Sequence, residues 1–273
     1  MFLFLCTFEQ RAENGAAGRR ADTSMPARES EAIILRTYPL GEGDRLVSFL
    51  SRSSGRLRGV ASGARRTKSR FGSTLELLSH VRIWFFERET RDLVRINQCE
   101  LVESFLKAQQ DYQQSLGLAL LSEVTENVLP EREASDAVFR LILVTARAIQ
   151  EQAAMALPIA YFALWTVRLG GWLPQLDHCS RCGRELGETA SYRTSFSLGL
   201  LCGDCRSPAA LPVSPETRRL AKRMTAEKLD RLLMGKISEE PVAQLSDFML
   251  DLIEHHSEKK LTTRRLLGPT REI

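Results

Sequence analysis

A chain of 273 residues, 43% hydrophobic and 26% charged, has the composition of a folded protein of two or three domains. It contains no apolar run of 18 residues, which excludes a membrane-spanning helix. The net charge of +4 says little alone, but the cations are concentrated in places, and those places point to a polyanionic partner.

Residues 1–24 begin with Phe2-Leu3-Phe4-Leu5-Cys6 and run on through Glu9, Arg11, Glu13, Arg19 and Arg20 without periodicity. A secretory signal places a basic stretch before a longer apolar one, and this segment has neither. It reads as a disordered extension from an upstream start codon, with Met25 as the natural beginning.

From 25 to 104, short β-patterned runs are broken by glycine-containing turns. Strands are expected over 32–38, 45–50, 56–61, 79–87 and 92–103. Five strands and one short helix in this length fit a small closed barrel of the OB-fold type. In the fourth run, alternation sets Trp84 and Phe86 on one face and Phe85 on the other. Such aromatics serve either as a base-stacking platform or as core, and core packing is the reading adopted for the group.

Between 52 and 70 the barrel segment carries seven cations and no carboxylate: Arg52, Arg56, Arg58, Arg65, Arg66, Lys68 and Arg70. Glycines and serines interleaved among them let backbone and hydroxyl groups approach phosphates, so this stretch is the expected nucleic-acid footprint. The alternative is a solvated basic loop, disfavoured because an unbroken like-charge stretch repels itself. The run Gly63-Ala-Arg-Arg-Thr-Lys68-Ser69 lacks the glycine that a phosphate-binding loop needs immediately before its lysine, which excludes an ATPase of that type.

After Ser104 the pattern turns helical, with helices expected over 106–129, 135–155 and 158–169, the last apolar nearly all round and stopped by Gly170-Gly171. A ribbon interrupts this region at 176–210, giving helical parts at 105–175 and 211–273. Ser214-Pro215-Glu216-Thr217 opens a further helix with an N-cap signature, and 241–256 is amphipathic. Arg218, Arg219, Lys222 and Arg223 on neighbouring turns form a second candidate DNA contact, although taken alone they read more readily as a solvated helix face.

Within the ribbon, Cys179-Ser-Arg-Cys182 and Cys202-Gly-Asp-Cys205 are separated by nineteen residues. This is the spacing of a four-cysteine Zn²⁺ site, and Gly183 and Gly203 stand where tight metal-binding turns favour glycine. A thioredoxin-like redox pair needs one such motif in a βαβ setting, not two flanking a β-like stretch at 192–201. With four sulfur ligands the ion has no open position, so it would hold structure and catalyse nothing. Cys6 and Cys99, left over, suit a reducing compartment. His80, His178, His255 and His256 have no nucleophile at recognisable spacing, and His178 would exceed a filled sulfur shell, so the chain is read as non-enzymatic.

The runs Glu31-Ala-Ile-Ile-Leu-Arg-Thr-Tyr-Pro-Leu-Gly-Glu-Gly-Asp-Arg45 and Ser54-Gly-Arg-Leu-Arg-Gly-Val-Ala-Ser-Gly-Ala-Arg-Arg-Thr-Lys-Ser-Arg-Phe-Gly72 resemble the amino-terminal domain of the bacterial recombination-mediator family RecO. Leu169-Gly-Gly-Trp-Leu-Pro-Gln-Leu-Asp177 resembles that family's junction into the zinc ribbon, and Lys260-Leu-Thr-Thr-Arg-Arg-Leu-Leu267 its closing segment. The resemblance implies a multidomain α+β protein: an OB barrel, then an all-helical domain with an inserted ribbon. It also implies binding of single- and double-stranded DNA, strand annealing without turnover, and a place in the bacterial cytoplasm at the nucleoid. The implied partners are RecR, the acidic tail of single-stranded DNA-binding protein and, indirectly, RecA. Some members lack the cysteines, and the intact set here resembles the zinc-containing ones. A different class, an RNA-binding adaptor of transcription or translation built from the same barrel and ribbon, is the competing expectation.

Overall fold

Ala32, Ile33, Ile34 and Leu35 are consecutive and apolar, so a strand through them has two apolar faces and needs cover on both. The computed structural model, which describes residues 27–87, 92–151, 154–194 and 199–267, supplies that cover. In β1 (Arg28–Leu40), Ala32 and Ile34 point into a barrel while Ile33 and Leu35 join the core of the helical region. The expected amino-terminal extension, with Cys6, lies outside the described residues.

β2 (Asp44–Ser51), β3 (Gly55–Ala61), β4 (His80–Phe86) and β5 (Leu93–Glu103) complete a closed barrel in the order β1-β2-β3-β5-β4, antiparallel except where β3 meets β5. Its interior is filled by Val47, Phe49, Leu57, Ile83, Phe85 and their neighbours, with the Phe49 and Phe85 rings edge to face at 5.8 Å. This is the expected OB-type barrel without the expected helix. The β3–β4 connection is a succession of turns, because Gly63 (φ 75°), Gly72 (φ 51°) and Leu78 (φ 56°) each break a right-handed run. Phe71 and Leu75 anchor it by plugging into the barrel.

A short 3₁₀ turn (Ala108–Gln110) leads into α1 (Tyr112–Val128), which starts later than expected because the Asp111 carboxylate accepts the Gln114 amide at 2.8 Å and caps it there. α2 (Asp136–Glu151) and α3 (Ala156–Leu169) follow, and α3 is buried along most of its length, as its continuous apolar sequence requires. The ribbon strands β6 (Ser191–Arg193) and β7 (Leu211–Val213) precede α4 (Pro215–Ala226), whose N-cap Ser214 accepts the Thr217 amide as its sequence foretold. α5 (Leu229–Leu233), α6 (Glu239–Ser257) and α7 (Thr262–Leu267) close the domain, with α6 laid against α3. Among the described residues no helix is long and apolar enough to cross a membrane.

Barrel and helices share one core: Ile33, Leu35, Leu50, Leu78 and Phe105 pack with Leu118, Leu121, Phe139 and Ile142. The Ser122 hydroxyl donates to the Leu35 carbonyl at 2.6 Å across this boundary. Gly55 (φ 73°) lies so close to the segment after α1 that a Cβ would stand 2.4 Å from the Glu133 backbone, so glycine is required for the two parts to close.

α7 carries no strong sequence signal, and Glu123 of α1 explains it. Its two carboxylate oxygens accept the Thr262 and Thr263 amides at 2.8 and 2.9 Å, an anion at a helix N-terminus. Burial pushes the Glu123 carboxyl up, but the bonds from Thr263 and Thr262 and the nearby Arg36 outweigh it and hold it below the usual value. A carboxyl depressed in the folded state contributes stability above its unfolded pKa of about 4.3 and loses it as pH falls through the folded value. Urea titrations should therefore show Glu123→Gln less stable than the wild type at neutral pH, the gap closing below about pH 4. A gap unchanged with pH would mean that the carboxylate charge contributes nothing.

Candidate metal centre and nucleic-acid interface

The ribbon is built from two turns that lack a core of their own. In the first, the Gly183 amide donates to the Cys179 carbonyl at 2.9 Å and the Cys179 amide to the Arg184 carbonyl at 2.8 Å. Gly183 adopts φ 72°, as the turn demands, whereas Gly203 in the second turn has no positive φ, so only one of the two expected glycines is needed. The turns bring Sγ of Cys179, Cys182, Cys202 and Cys205 within 4.8 Å of one another, with Cys182 and Cys202 at 3.8 Å. A tetrahedral ion with metal–sulfur bonds of about 2.3 Å sets sulfurs about 3.8 Å apart, so this donor set fits one metal ion. His178 does not join it; it bridges to Glu185 through the backbone.

Electrostatics support the same reading. Burial opposes ionisation of Cys179, but the amides of Cys202, Cys182 and Arg181 directed at its sulfur bring the thiol down to about 6. Cys205 goes the other way, up to about 12, through hydrogen bonds with the Cys202 and Cys182 thiols. The first thiolate forms readily and the last does so only if a cation neutralises the others. Cys99, by contrast, lies in the barrel core and is pushed up to about 12 by burial, which outweighs its hydrogen bond with Thr74 and the nearby Arg70, as befits an inert thiol.

The ribbon is fused to the helical domain. Cys179 and Cys202, 2% and 7% exposed, belong to the helical core with Leu186 and Leu200. Arg193 of β6 pairs with Asp251 of α6. Arg218 of α4, 5% exposed, donates to the carbonyls of Gly187 and Thr189 at 2.6 and 2.7 Å. Of the second expected basic set, Arg218 is thus buried and structural. Arg219 pairs with Glu188 and Glu216, Lys222 with Asp177 at 2.7 Å, and Arg223 with Glu227 at 3.3 Å.

The first basic set divides in two. Arg52 bonds Glu31 at 2.8 Å and Asp136 at 2.7 Å while covering the Phe139 ring. Arg56 donates to the Leu129 carbonyl at 3.0 Å, and Arg58 meets Glu131 at 3.0 Å. These three fasten the barrel to the helices. Arg65, Arg66, Lys68 and Arg70 stand exposed on the turns after β3, and none of them pairs with a carboxylate among the described residues. Arg65 donates to the Gly41 carbonyl at 2.8 Å, and Arg70 lies 5.0 Å over the Phe71 ring, which orients both side chains without neutralising them. Arg45 and Arg95, overlooked in the sequence because neither sits in a cluster, are likewise without ion pairs among the described residues and flank this surface from β2 and β5.

Family comparisons match both parts of this architecture. The model for the recombination protein O amino terminus covers residues 25–105, and that for its carboxyl terminus covers 109–265. The chain belongs to the RecO family. The protein named DNA repair protein RecO in Koribacter versatilis is 38% identical over 88% of this chain and 98% of its own length. The protein of the same name in Syntrophobacter fumaroxidans is 33% identical over 89% and 98%, and that of a Nocardioides species 38% over 72% and 81%. The two RecO models meet where the barrel gives way to the 3₁₀ turn, and the match leaves the RNA-adaptor expectation without support. Trp84 and Phe86 of the RecO barrel depart from the expected core packing: Phe85 is interior, whereas Trp84 and Phe86 are half-buried on its outer face, the Trp84 indole donating to Glu29 at 3.1 Å.

Proposed function

We propose that this protein is a non-enzymatic, DNA-binding mediator of recombinational repair. It binds single- and double-stranded DNA through the barrel, anneals complementary strands, and acts with RecR to help place RecA on gaps coated by single-stranded DNA-binding protein. The observation that carries the reading is the turn bearing Arg65, Arg66, Lys68 and Arg70, a group of cations without carboxylate partners among the described residues, in a chain of the RecO family. The ion-paired Arg219, Lys222 and Arg223 are a secondary contact, and Arg218 is left out because it is buried. The metal is one Zn²⁺, held by Cys179, Cys182, Cys202 and Cys205 to keep the ribbon folded. The protein works in the bacterial cytoplasm at the nucleoid.

The acidic, apolar-ended tail of single-stranded DNA-binding protein needs an apolar recess. Most of 162–169 is buried in α3 and offers none. A groove of about 310 Å³ at the end of that helix, lined by Val128, Leu129, Pro130, Val138, Leu169 and Trp172, is the better site. Annealing of coated complementary strands should proceed without ATP and fail when the tail is deleted, as a fluorescence-quenching assay would report. A requirement for ATP would overturn the mediator reading.

A further inference from the structure

One histidine is buried at the seam between barrel and helices. His80 opens β4, pairs with Ile33 of β1 and with Glu103 of β5, and is 6% exposed. Its ring meets the Phe139 ring of α2 edge to face at 5.6 Å. Nε2 stands 3.5 Å from the Glu31 carboxylate, and neither ring nitrogen makes a hydrogen bond among the described residues.

Charged groups frame this imidazole from the elements around it. Arg52, just after β2, joins Glu31 of β1 to Asp136 of α2. Arg147 of α2 grips the Glu103 carboxylate of β5 at 2.9 and 2.7 Å. The seam that these two clasps hold shut is apolar: Ile33, Leu50 and Phe105 share one core with Phe139 and Ile142.

A neutral imidazole suits such a place and an imidazolium does not. Protonation gives the ring a charge and two N–H donors, whereas Glu31, already bonded to Arg52, stands by one nitrogen only. The second donor is then buried without an acceptor for as long as the seam stays closed, which costs free energy. Burial accordingly holds His80 below the usual imidazole value, against the pull of Glu31 and Glu103. Arg52 in turn holds Glu31 below the usual carboxylate value, so Glu31 stays ionised where a histidine titrates.

We infer that His80 is a proton-operated release for the seam between the barrel and α2: the neutral ring lets α2 lie on the barrel, and the charged ring favours α2 parting from it. A histidine that binds its proton less well in the closed seam than in the open one leaves the seam at full stability above about pH 6.5. It takes stability away as pH falls below that value. The device does not depend on what the barrel binds. It does reach the groove described above, because Ser135 and Val138 at the start of α2 line that groove.

Hydrogen exchange of the full chain, corrected for the intrinsic pH dependence of amide exchange, reads the seam at two places. The Ile34 amide is bonded to the Ser79 carbonyl at 3.0 Å, and the Phe139 amide to the Ser135 carbonyl at 3.0 Å. Between about pH 7.5 and about pH 5.5 the protection of both should fall about tenfold, because a histidine released from the seam titrates at about 6.5, while the amides of α6 keep theirs. In His80→Gln the protection should not change with pH. His80→Phe, which packs on Phe139 with no proton to gain, gives the same comparison if glutamine costs the fold. Wild-type protection that does not fall, or that falls equally in the variants, would overturn the inference. An equal fall in α6 would overturn it too, because acid would then be loosening the whole molecule.

Discussion

Replacing Cys179 with serine is expected to remove the metal and unfold the ribbon, lowering the melting temperature of the protein by about 10–20 °C. The ribbon spans too few residues to bury a core, so a four-sulfur ion is expected to supply its folding energy. Structural Zn²⁺ contributes about 10–16 kcal/mol in isolated finger peptides at neutral pH. Part of the ribbon here is held independently, by Arg193 on Asp251, Arg218 on the Gly187 and Thr189 carbonyls, and Leu186 and Leu200 in the helical core. A net loss of about 5 kcal/mol is a reasonable expectation, and at about 2–4 °C per kcal/mol for a chain approaching this size it gives that shift. Cys182 is exposed, so Cys182→Ser should lose the metal equally but cost less in packing, and the difference between the two variants measures the burial of Cys179. Metal analysis should find about one zinc per chain in the wild type and none in either variant. Freshly purified, reduced protein without metal, or a Cys179→Ser variant with an unchanged melt, would defeat the prediction.

The triple replacement of Arg65, Arg66 and Lys68 by alanine should weaken single-stranded and duplex DNA binding alike. Every phosphate that a cation no longer neutralises takes about 0.7–0.9 off the slope of log affinity against log salt, so three reduce it by about 2–3. Between 50 and 200 mM salt the wild type should then lose about 20- to 40-fold more affinity than the variant. The fold should survive, because these side chains make no ion pair among the described residues. Arg52, Arg56 and Arg58 predict the opposite phenotype. Their replacement exposes Glu31, Asp136 and Glu131 at the barrel–helix boundary and should lower stability with a smaller effect on the salt slope. If the outer triple leaves DNA affinity and slope unchanged, the interface lies elsewhere on the protein.

The sequence by itself determined whatever depends on neighbours within a few residues. The four-cysteine cluster follows from two C-x2-C turns, because that spacing lets each turn present two sulfurs to one point. The barrel strands follow from alternation, and the start of α4 from Ser214 and Pro215, since the N-cap bond spans only three residues. Tertiary structure decided which cations are available. The seven between 52 and 70 look alike in sequence, and their fates diverge because Glu31, Glu131 and Asp136 arrive from distant segments to claim the first three. Arg218 looked like a surface cation on its helix and is buried because ribbon carbonyls close over it. α7 exists where a glutamate more than a hundred residues earlier caps it, and Phe86 faces outward beside Arg95 because β4 and β5 pair in that register. Composition and periodicity carry local geometry and the sign of charge, whereas neutralisation and burial depend on which segments the fold brings together.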